Sequence, residues 1–362
     1  MRRPSSRLLN MEKVDSLTID PQNGYCTANS IYYSKRNALT YPQDEYLDLP
    51  TFISSQSQTH SSHIALIDPS SERCITFSQL WQQIRSLAAG LTKISVQKGD
   101  VVLILSPNSI QFPVICIAIM SIGAVVSTAN PLNTAKEIAK QAADSKAVLA
   151  FVPPNLVDKL ADSHLPLVLI TSDKTNVKNC IATLSELLLS NPADMPDANI
   201  RQYDVATLLY SSGTTGMSKA VISTHRNLIS SVCILLNRLK ISGNYETHQT
   251  YLCMLPMFHI YGLTTFACGL LASDSTIVVI SKFGLAEMLE TIENYKVTYL
   301  PLVPPIVVAL TKSEIVKKYD LSSLHTVTSG AAPLSKESSQ EFVFRFPQIT
   351  LKQVRWLVVF LV

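Results

Sequence analysis

The chain has 362 residues, of which 47% are hydrophobic and 16% charged, with a formal net charge of +3. That length carries two domains or one large α/β unit, and the composition excludes a disordered chain. The small net charge, with Lys and Arg scattered rather than striped, argues against a nucleic-acid partner. Seven cysteines (Cys26, Cys74, Cys116, Cys180, Cys233, Cys253, Cys268) include no Cys-x-x-Cys pair and read as reduced, buried small hydrophobes of an intracellular protein.

In chain order, residues 1–35 are expected to be a disordered N-terminus. Their start, Met1-Arg2-Arg3-Pro4-Ser5-Ser6-Arg7, is basic and serine-bearing but lacks the amphipathic run of a transit peptide, and Met11 offers a second start. Val101–Leu105 reads as a strand, with Asn108 or Ser109 placed to cap the helix that follows. Phe112 to Val126 is the longest apolar stretch. Ser121 and Gly123 interrupt it, so it fits a core helix and turn rather than a membrane span of roughly 20 residues. Strands at Gly123–Ser127, Ala147–Val152 and Leu167–Thr171, with a helix from Thr134 to Ser145, give the alternation of a doubly wound, mostly parallel sheet. A helix at Thr183–Leu189 and a polar stretch to Asn199 mark a junction. The reading is therefore a first α/β subdomain over 36–200 and a second over 201–353. The second has strands at Val205–Tyr210, Tyr251–Leu255, Ser275–Ile280, Val297–Leu302 and His325–Ser329. Its helices fall at Arg226–Leu239, Leu285–Tyr295 and Pro305–Thr311.

The most informative stretch is Tyr210-Ser211-Ser212-Gly213-Thr214-Thr215-Gly216-Met217-Ser218-Lys219-Ala220. Four hydroxyls and two glycines stand in six residues, and Lys219 follows three positions later. Glycines allow close backbone approach, amides and hydroxyls donate to phosphate oxygens, and an ammonium neutralises charge. It lacks the Gly-Lys-Ser/Thr of a Walker A loop. A Ser/Thr/Gly linker has similar composition but seldom sits between two apolar runs and ends in a lone lysine.

Ser-Ser-Gly-Thr-Thr-Gly-x-x-Lys resembles the signature of the AMP-forming acyl-adenylating enzymes, and the continuation Ser223-Thr224-His225-Arg226-Asn227-Leu228 resembles their plant 4-coumarate:CoA ligase branch. Ala220 stands where that family usually has glycine, a change tolerated if φ is negative there. Two further strings join this resemblance. In Leu255-Pro256-Met257-Phe258-His259-Ile260-Tyr261-Gly262, residue types alone make His259 a satisfied core histidine. The resemblance instead places His259 beside the attacking carboxylate, with Tyr261 and Thr265 lining the acid pocket. Gly262 is small where some members carry serine. Ser329-Gly330-Ala331-Ala332-Pro333-Leu334 is by itself a tight turn; by resemblance Gly330, Ala331, Ala332 and Pro333 form a pocket wall near the adenine. Lys282 matches a lysine near coenzyme A phosphates, and Gln353 falls in the nucleotide set.

The resemblance covers about residues 40–353 and implies the two doubly wound sheets of the large N-terminal domain of an acyl-CoA synthetase, incomplete at the C-terminus. It implies ATP, Mg²⁺ and coenzyme A as cofactors and a small carboxylic acid as substrate. That acid is a 4-coumarate-like phenylpropanoid acid or an oxylipin-type fatty acid. Catalytic roles fall to His259 and Lys219, and no residue is assigned as a metal ligand. After Gln353 the pattern stops. Residues 354–362 are expected to be an aberrant apolar tail, consistent with translation past a splice donor, and the lid domain is expected to be missing. A truncated, non-catalytic isoform and a mis-spliced product are the alternatives, and the chain as written is expected to be a poor catalyst of low solubility. The expected location is cytoplasmic, or peroxisomal for a full-length isoform.

Overall fold

The computed structural model describes residues 19–28, 30–33, 39–57, 61–173, 177–211, 219–241 and 248–354. The chain divides into two compact units, Met1–Pro42 and Gln43–Val362. In the first, β1 (Tyr25–Cys26) and β2 (Ile31–Tyr32) pair antiparallel, with the Tyr25 and Tyr32 rings 4.9 Å apart. This pair lies where the sequence reading expects disorder.

The second unit opens with α1 (Leu49–Ser57), β3 (Ile64–Asp68), β4 (Arg73–Thr76) and α2 (Phe77–Lys93). There follow β5 (Val101–Leu105), α3 (Gln111–Ser121), β6 (Val125–Ala129), α4 (Ala135–Ser145), β7 (Ala147–Val152), β8 (Leu167–Leu169), β9 (Cys180–Thr183) and α5 (Leu184–Leu188). Then come β10 (Val205–Ser211), β11 (Lys219–Thr224), α6 (His225–Ile241) and β12 (Thr250–Cys253). A helical segment follows, made of α7 (Ile260–Gly262), a π-helical stretch (Leu263–Gly269) and α8 (Leu270–Ala272). The chain continues through β13 (Thr276–Val279), α9 (Leu285–Tyr295), β14 (Tyr299–Leu302), α10 (Pro304–Lys312), β15 (Thr326–Ser329), α11 (Lys336–Arg345) and β16 (Thr350–Gln353).

The described strands of this unit form two seven-stranded sheets, β11-β10-β6-β5-β7-β8-β9 and β16-β15-β14-β12-β13-β3-β4. Only the edge pairs β10–β11 and β3–β4 are antiparallel. The linear division at residue 200 therefore does not match sheet membership. β3 and β4 cross to the second sheet, while β10 pairs with β6 of the first, Thr207 opposite Val126. Strand pattern alone cannot report this, because an apolar run fits either sheet equally well.

Side-chain alternation sorts the helices into layers. Val102 and Ile104 of the first sheet face inward with Tyr251, Cys253, Ile277 and Val279 of the second, and α1, α2, α3, α6 and the 260–272 segment pack between them. Leu103 and Leu105 face outward into a cluster with Ile138 and Ala142 of α4. Leu252, Val278, Leu300 and Val327 face outward onto α9, α10 and α11. Helix α3, apolar all round, lies wholly inside this sandwich, which is why no polar face shows in its sequence. Each fully buried Phe, Ile or Met there contributes about 1.5–3 kcal/mol. Helix α4 starts one residue later than expected, because Thr134 is its N-cap in a capping box with Glu137. Helix α3 does not start as expected: its N-cap is Ile110, with no side-chain cap, and Asn108 is used elsewhere. The seven cysteines are free, but Cys74 is exposed and Cys180 and Cys233 are half-buried rather than buried.

Candidate active site

The central strands of each sheet are parallel, and ligands of such folds gather outside the carboxyl ends of those strands. In the first sheet β10 leads to Ser211, which stands opposite Lys219 at the start of β11, and both are exposed. Ser212, Gly213, Thr214, Thr215 and Gly216 lie outside the described residues. Ala220 is extended in β11 opposite Tyr210, so its substitution for glycine meets no left-handed backbone. The Tyr210 hydroxyl donates to the Asp144 carboxylate of α4 at 2.5 Å; burial and that carboxylate raise the phenol well above its ordinary pKa.

In the second sheet the chain after β12 is clamped by two side chains at the carboxyl ends of first-sheet strands. The Asn108 side chain, buried after β5, accepts from Met257 N at 2.8 Å and donates to the Leu255 carbonyl at 3.0 Å. The Thr128 hydroxyl, at the carboxyl end of β6, donates to the Phe258 carbonyl at 2.5 Å. Gly262 makes the return possible. A Cβ there would lie 2.0 Å from the Pro256 oxygen and 2.7 Å from Met257 Cα, so a serine cannot replace it without backbone movement.

This clamp sets His259 immediately before the helical segment, its ring 4.4 Å from Phe258. Although the residue is exposed, partial burial of the imidazole holds its pKa below the ordinary value, favouring the neutral form. Tyr261 is hydrogen-bonded to Thr265 one turn on; burial, then the nearby Tyr299 and Cys253, raise its phenol strongly. Tyr299 of β14 bonds Thr328 of β15 and stacks on Tyr251 with ring centroids 4.7 Å apart. His259, Tyr261 and Thr265 thus occupy one helix start, and Tyr299 and Thr328 link it to the neighbouring strands. The π-helical stretch holding Thr265 is of the kind often found at functional sites.

Gly330 follows β15, its N–H bonded to the Leu302 carbonyl at 3.0 Å. Ala331, Ala332 and Pro333 continue as an exposed turn, with Ala331 held at φ +67°. Lys282 is exposed just past β13 on the same edge. Gln353 ends β16, and its amide donates to Ser339 of α11 at 3.1 Å. The edge therefore gathers His259, Tyr261, Thr265, Gly330–Pro333, Lys282 and Gln353. Ser211 and Lys219 sit at the matching end of the first sheet, one and two strands from Thr128. Sequence reasoning missed Asn108, Thr128, Tyr299 and Thr328. The Ser-Pro-Asn string after a strand was the only visible signal, and it reads as an ordinary turn.

A protein-family model described as AMP-binding enzyme matches residues 53–356. The chain belongs to the AMP-binding enzyme family. It is 50% identical over 350 residues to a probable CoA ligase of Humulus lupulus, covering 95% of this chain and 63% of that one. It is 48% identical over 341 residues to peroxisomal OPC-8:0-CoA ligase 1 of Arabidopsis thaliana, covering 93% and 62%. Against 4-coumarate–CoA ligase-like 4 of Oryza sativa the identity is 45% over 352 residues, covering 95% and 63%. The chain spans 60–63% of the length of the curated relatives it matches. Among solved structures, a long-chain-fatty-acid-CoA ligase of Archaeoglobus fulgidus superposes with TM-score 0.76 at 24% identity, covering 90% of this chain and 66% of that one. The luciferase-like enzyme of Zophobas morio gives 0.75 at 23%, covering 87% and 73%. Both share the two-sheet fold. Among the described residues, no helix is long and apolar enough to cross a membrane.

Proposed function

We propose that the protein is an ATP-dependent acid:CoA ligase working through an acyl-AMP intermediate. One observation carries the reading: the carboxyl ends of both sheets meet at the 255–259 segment, fixed by Asn108 and Thr128. In the first step a carboxylate oxygen of the acid attacks the α-phosphorus of ATP. A P–O bond forms, the bond to the β-phosphate oxygen breaks, and pyrophosphate leaves. In the second, the thiol of coenzyme A attacks the acyl carbon, a C–S bond forms, AMP leaves with the carboxyl oxygen, and the thiol proton is released. No enzyme nucleophile is needed, so positioning and charge neutralisation supply the rate.

Ser211 and Lys219, with Ser212, Gly213, Thr214, Thr215 and Gly216 between them in sequence, bind the phosphates. His259, held neutral, donates an N–H to the incoming carboxylate without competing for the phosphates, and Tyr261 and Thr265 line the acid pocket. Gly330, Ala331, Ala332 and Pro333 form the opposite wall beside the adenine, with Gln353 at its end, and Lys282 meets coenzyme A phosphates. None of these is a carboxylate, so the residues do not fit a protein-held Mg²⁺. The relatives' names carry OPC-8:0 and 4-coumarate. The substrate is accordingly a phenylpropanoid acid like 4-coumarate, or an oxylipin or other fatty acid. The proposed compartment is the cytoplasm, with the peroxisome, named for one relative, as the alternative.

A stable acyl-sulfamoyl-adenosine mimic should bind saturably in calorimetry, alongside acid-dependent pyrophosphate release from ATP and Mg²⁺ across a panel of acids. Lys219→Ala should weaken ATP by roughly 1.5–3 kcal/mol, the worth of one charge-assisted phosphate contact. No binding of the mimic or of ATP, or unchanged affinity in Lys219→Ala, would remove this reading.

A further inference from the structure

The edge of the second sheet opposite the candidate active site carries a separate group of metal-ligating side chains. His63 precedes β3, His248 lies just before β12, and Asp274 lies just before β13, so three parallel strands begin around them. One ligand atom from each lies within 4.8 Å of the other two. His63 Nδ1 and Asp274 Oδ2 are 2.9 Å apart, and the His63 and His248 rings meet edge-on at 5.0 Å. Residues distant in sequence have been brought to one point by the sheet register alone.

Hydrogen bonding around this point prepares one imidazole as a ligand. The Thr276 hydroxyl donates its only proton to the Ile64 carbonyl at 2.6 Å, because a carbonyl cannot donate. The contact between the same oxygen and His248 Nε2, at 2.8 Å, must then be an Nε2–H donating to threonine. Neutral His248 therefore carries its lone pair on Nδ1. An imidazole fixed through one nitrogen by an outer partner, with the other as acceptor, is the usual arrangement of a metal-binding histidine. Asp274 adds a negative charge from a left-handed turn at φ +57°, and its side chain is mostly shielded from solvent.

We propose that His63, His248 and Asp274 bind a divalent transition-metal ion of the zinc class. Two imidazoles and one carboxylate suit zinc, copper or nickel and are poor ligands for Mg²⁺ or Ca²⁺. Zinc bonds to N and O ligands are about 2.0–2.2 Å, so the ligand atoms must approach to roughly 4 Å or less. His63 Nδ1 and Asp274 Oδ2 are already that close; the proton they share is released as the ion binds, and any further closing falls to His248. Water completes the shell on the solvent side. The ion ties the starts of β3, β12 and β13 together, on the edge away from the nucleotide. It is a fastening site, not part of the ligase chemistry.

The test uses chelator-treated protein without ATP or acid, so its outcome is independent of the ligase reading. Zn²⁺ titrated against a chromogenic chelator at neutral pH should bind as one tight equivalent, with Mg²⁺ unable to displace it. Thermal unfolding should shift upward with free Zn²⁺. His63→Gln, His248→Gln and Asp274→Asn should each lower the affinity by about tenfold or more, and Thr276→Val by about 10–100-fold through the lost outer partner. Asparagine tolerates the left-handed turn, so Asp274→Asn tests the ligand without breaking the fold. His325→Gln, an exposed histidine before β15 on the same edge but outside the three-residue cluster, should bind as the parent does. Co²⁺ should give ligand-field bands in the parent that vanish in His248→Gln. No tight equivalent, or parent-like affinity in all three ligand variants, would mean that His63 and Asp274 form only an ion pair with His248 beside it.

Discussion

The two proposed walls of the acid pocket are built differently. The 255–272 segment is mostly buried, His259 apart, and clamped: Asn108 and Thr128 hold its backbone, Gly262 lies against its own chain, and a π-helical stretch follows. The 330–333 turn is exposed, held at its base by one backbone bond from Gly330, and includes an alanine in a left-handed conformation. In the proposed site the clamped wall would fix the position of the acid's carboxylate, whereas an exposed turn can vary without disturbing the core. Substitutions in the first should therefore cost folding or all substrates together, and those in the second should change which acid is preferred.

The largest effect is expected at Gly262→Ser. Its Cβ would meet backbone 2.0 Å away, so overpacking should cost about 3 kcal/mol, read as a lower urea midpoint. A parent-like midpoint would show that this wall adapts. A second buried group near the start of α6 gives a pH signature. His225 is fully buried and accepts Leu49 N–H at Nδ1. Its pKa is lowered to about 4, chiefly by burial, with Asp204 opposing and Lys98 adding. The unfolded histidine, near 6.5, binds the proton more readily than the folded one. Stability should therefore be intact above about pH 6.5 and fall as the pH drops toward about 4, by on the order of 3 kcal/mol. His225→Gln should flatten that slope in urea titrations across the window; an unchanged slope would assign it to other groups.

Asn108→Ala comes next. It leaves the Met257 N–H and Leu255 carbonyl without their partner, costing about 1–3 kcal/mol, and should reduce turnover with every acid alike. A loss confined to one acid would place Asn108 in selectivity instead. The smallest effects belong to the exposed turn. Ala331→Gly should stabilise by about 1 kcal/mol by relieving the left-handed alanine. Ala331→Phe should alter acid preference while ATP affinity stays at the parent level; equal loss for all acids and for ATP would indicate a misfolded chain.

Local chemistry was legible in the sequence where one segment decides its own structure. Leu285–Tyr295 is helical over the expected span, Ala147–Val152 is a strand over its expected span, and the helix expected from Thr134 to Ser145 is present as Ala135–Ser145. What was illegible depends on partners far along the chain. Nothing in Val205–Tyr210 says that it joins β6, nor in Ile64–Thr76 that it completes the second sheet. Asn108 looks like a helix cap, and only the folded chain brings the 255–257 backbone to it, removing the reason for it to cap. Residues 260–272 escaped notice as a helix because Gly262, Thr264, Thr265 and Gly269 are weak helix formers, while their small size is what lets the segment lie against Pro256 and α6. The candidate residues were found through short strings, and their placement on shared strand ends follows from topology.

The central claim is that ligand chemistry belongs to the carboxyl edges of the sheets. Amide hydrogen exchange with and without the acyl-sulfamoyl-adenosine mimic tests it most directly. The account predicts protection at 255–263, at 329–333 and beside Ser211 and Lys219, with none at His63, His248 or 272–276. Protection confined to the opposite edge, or none at 255–263, would contradict it.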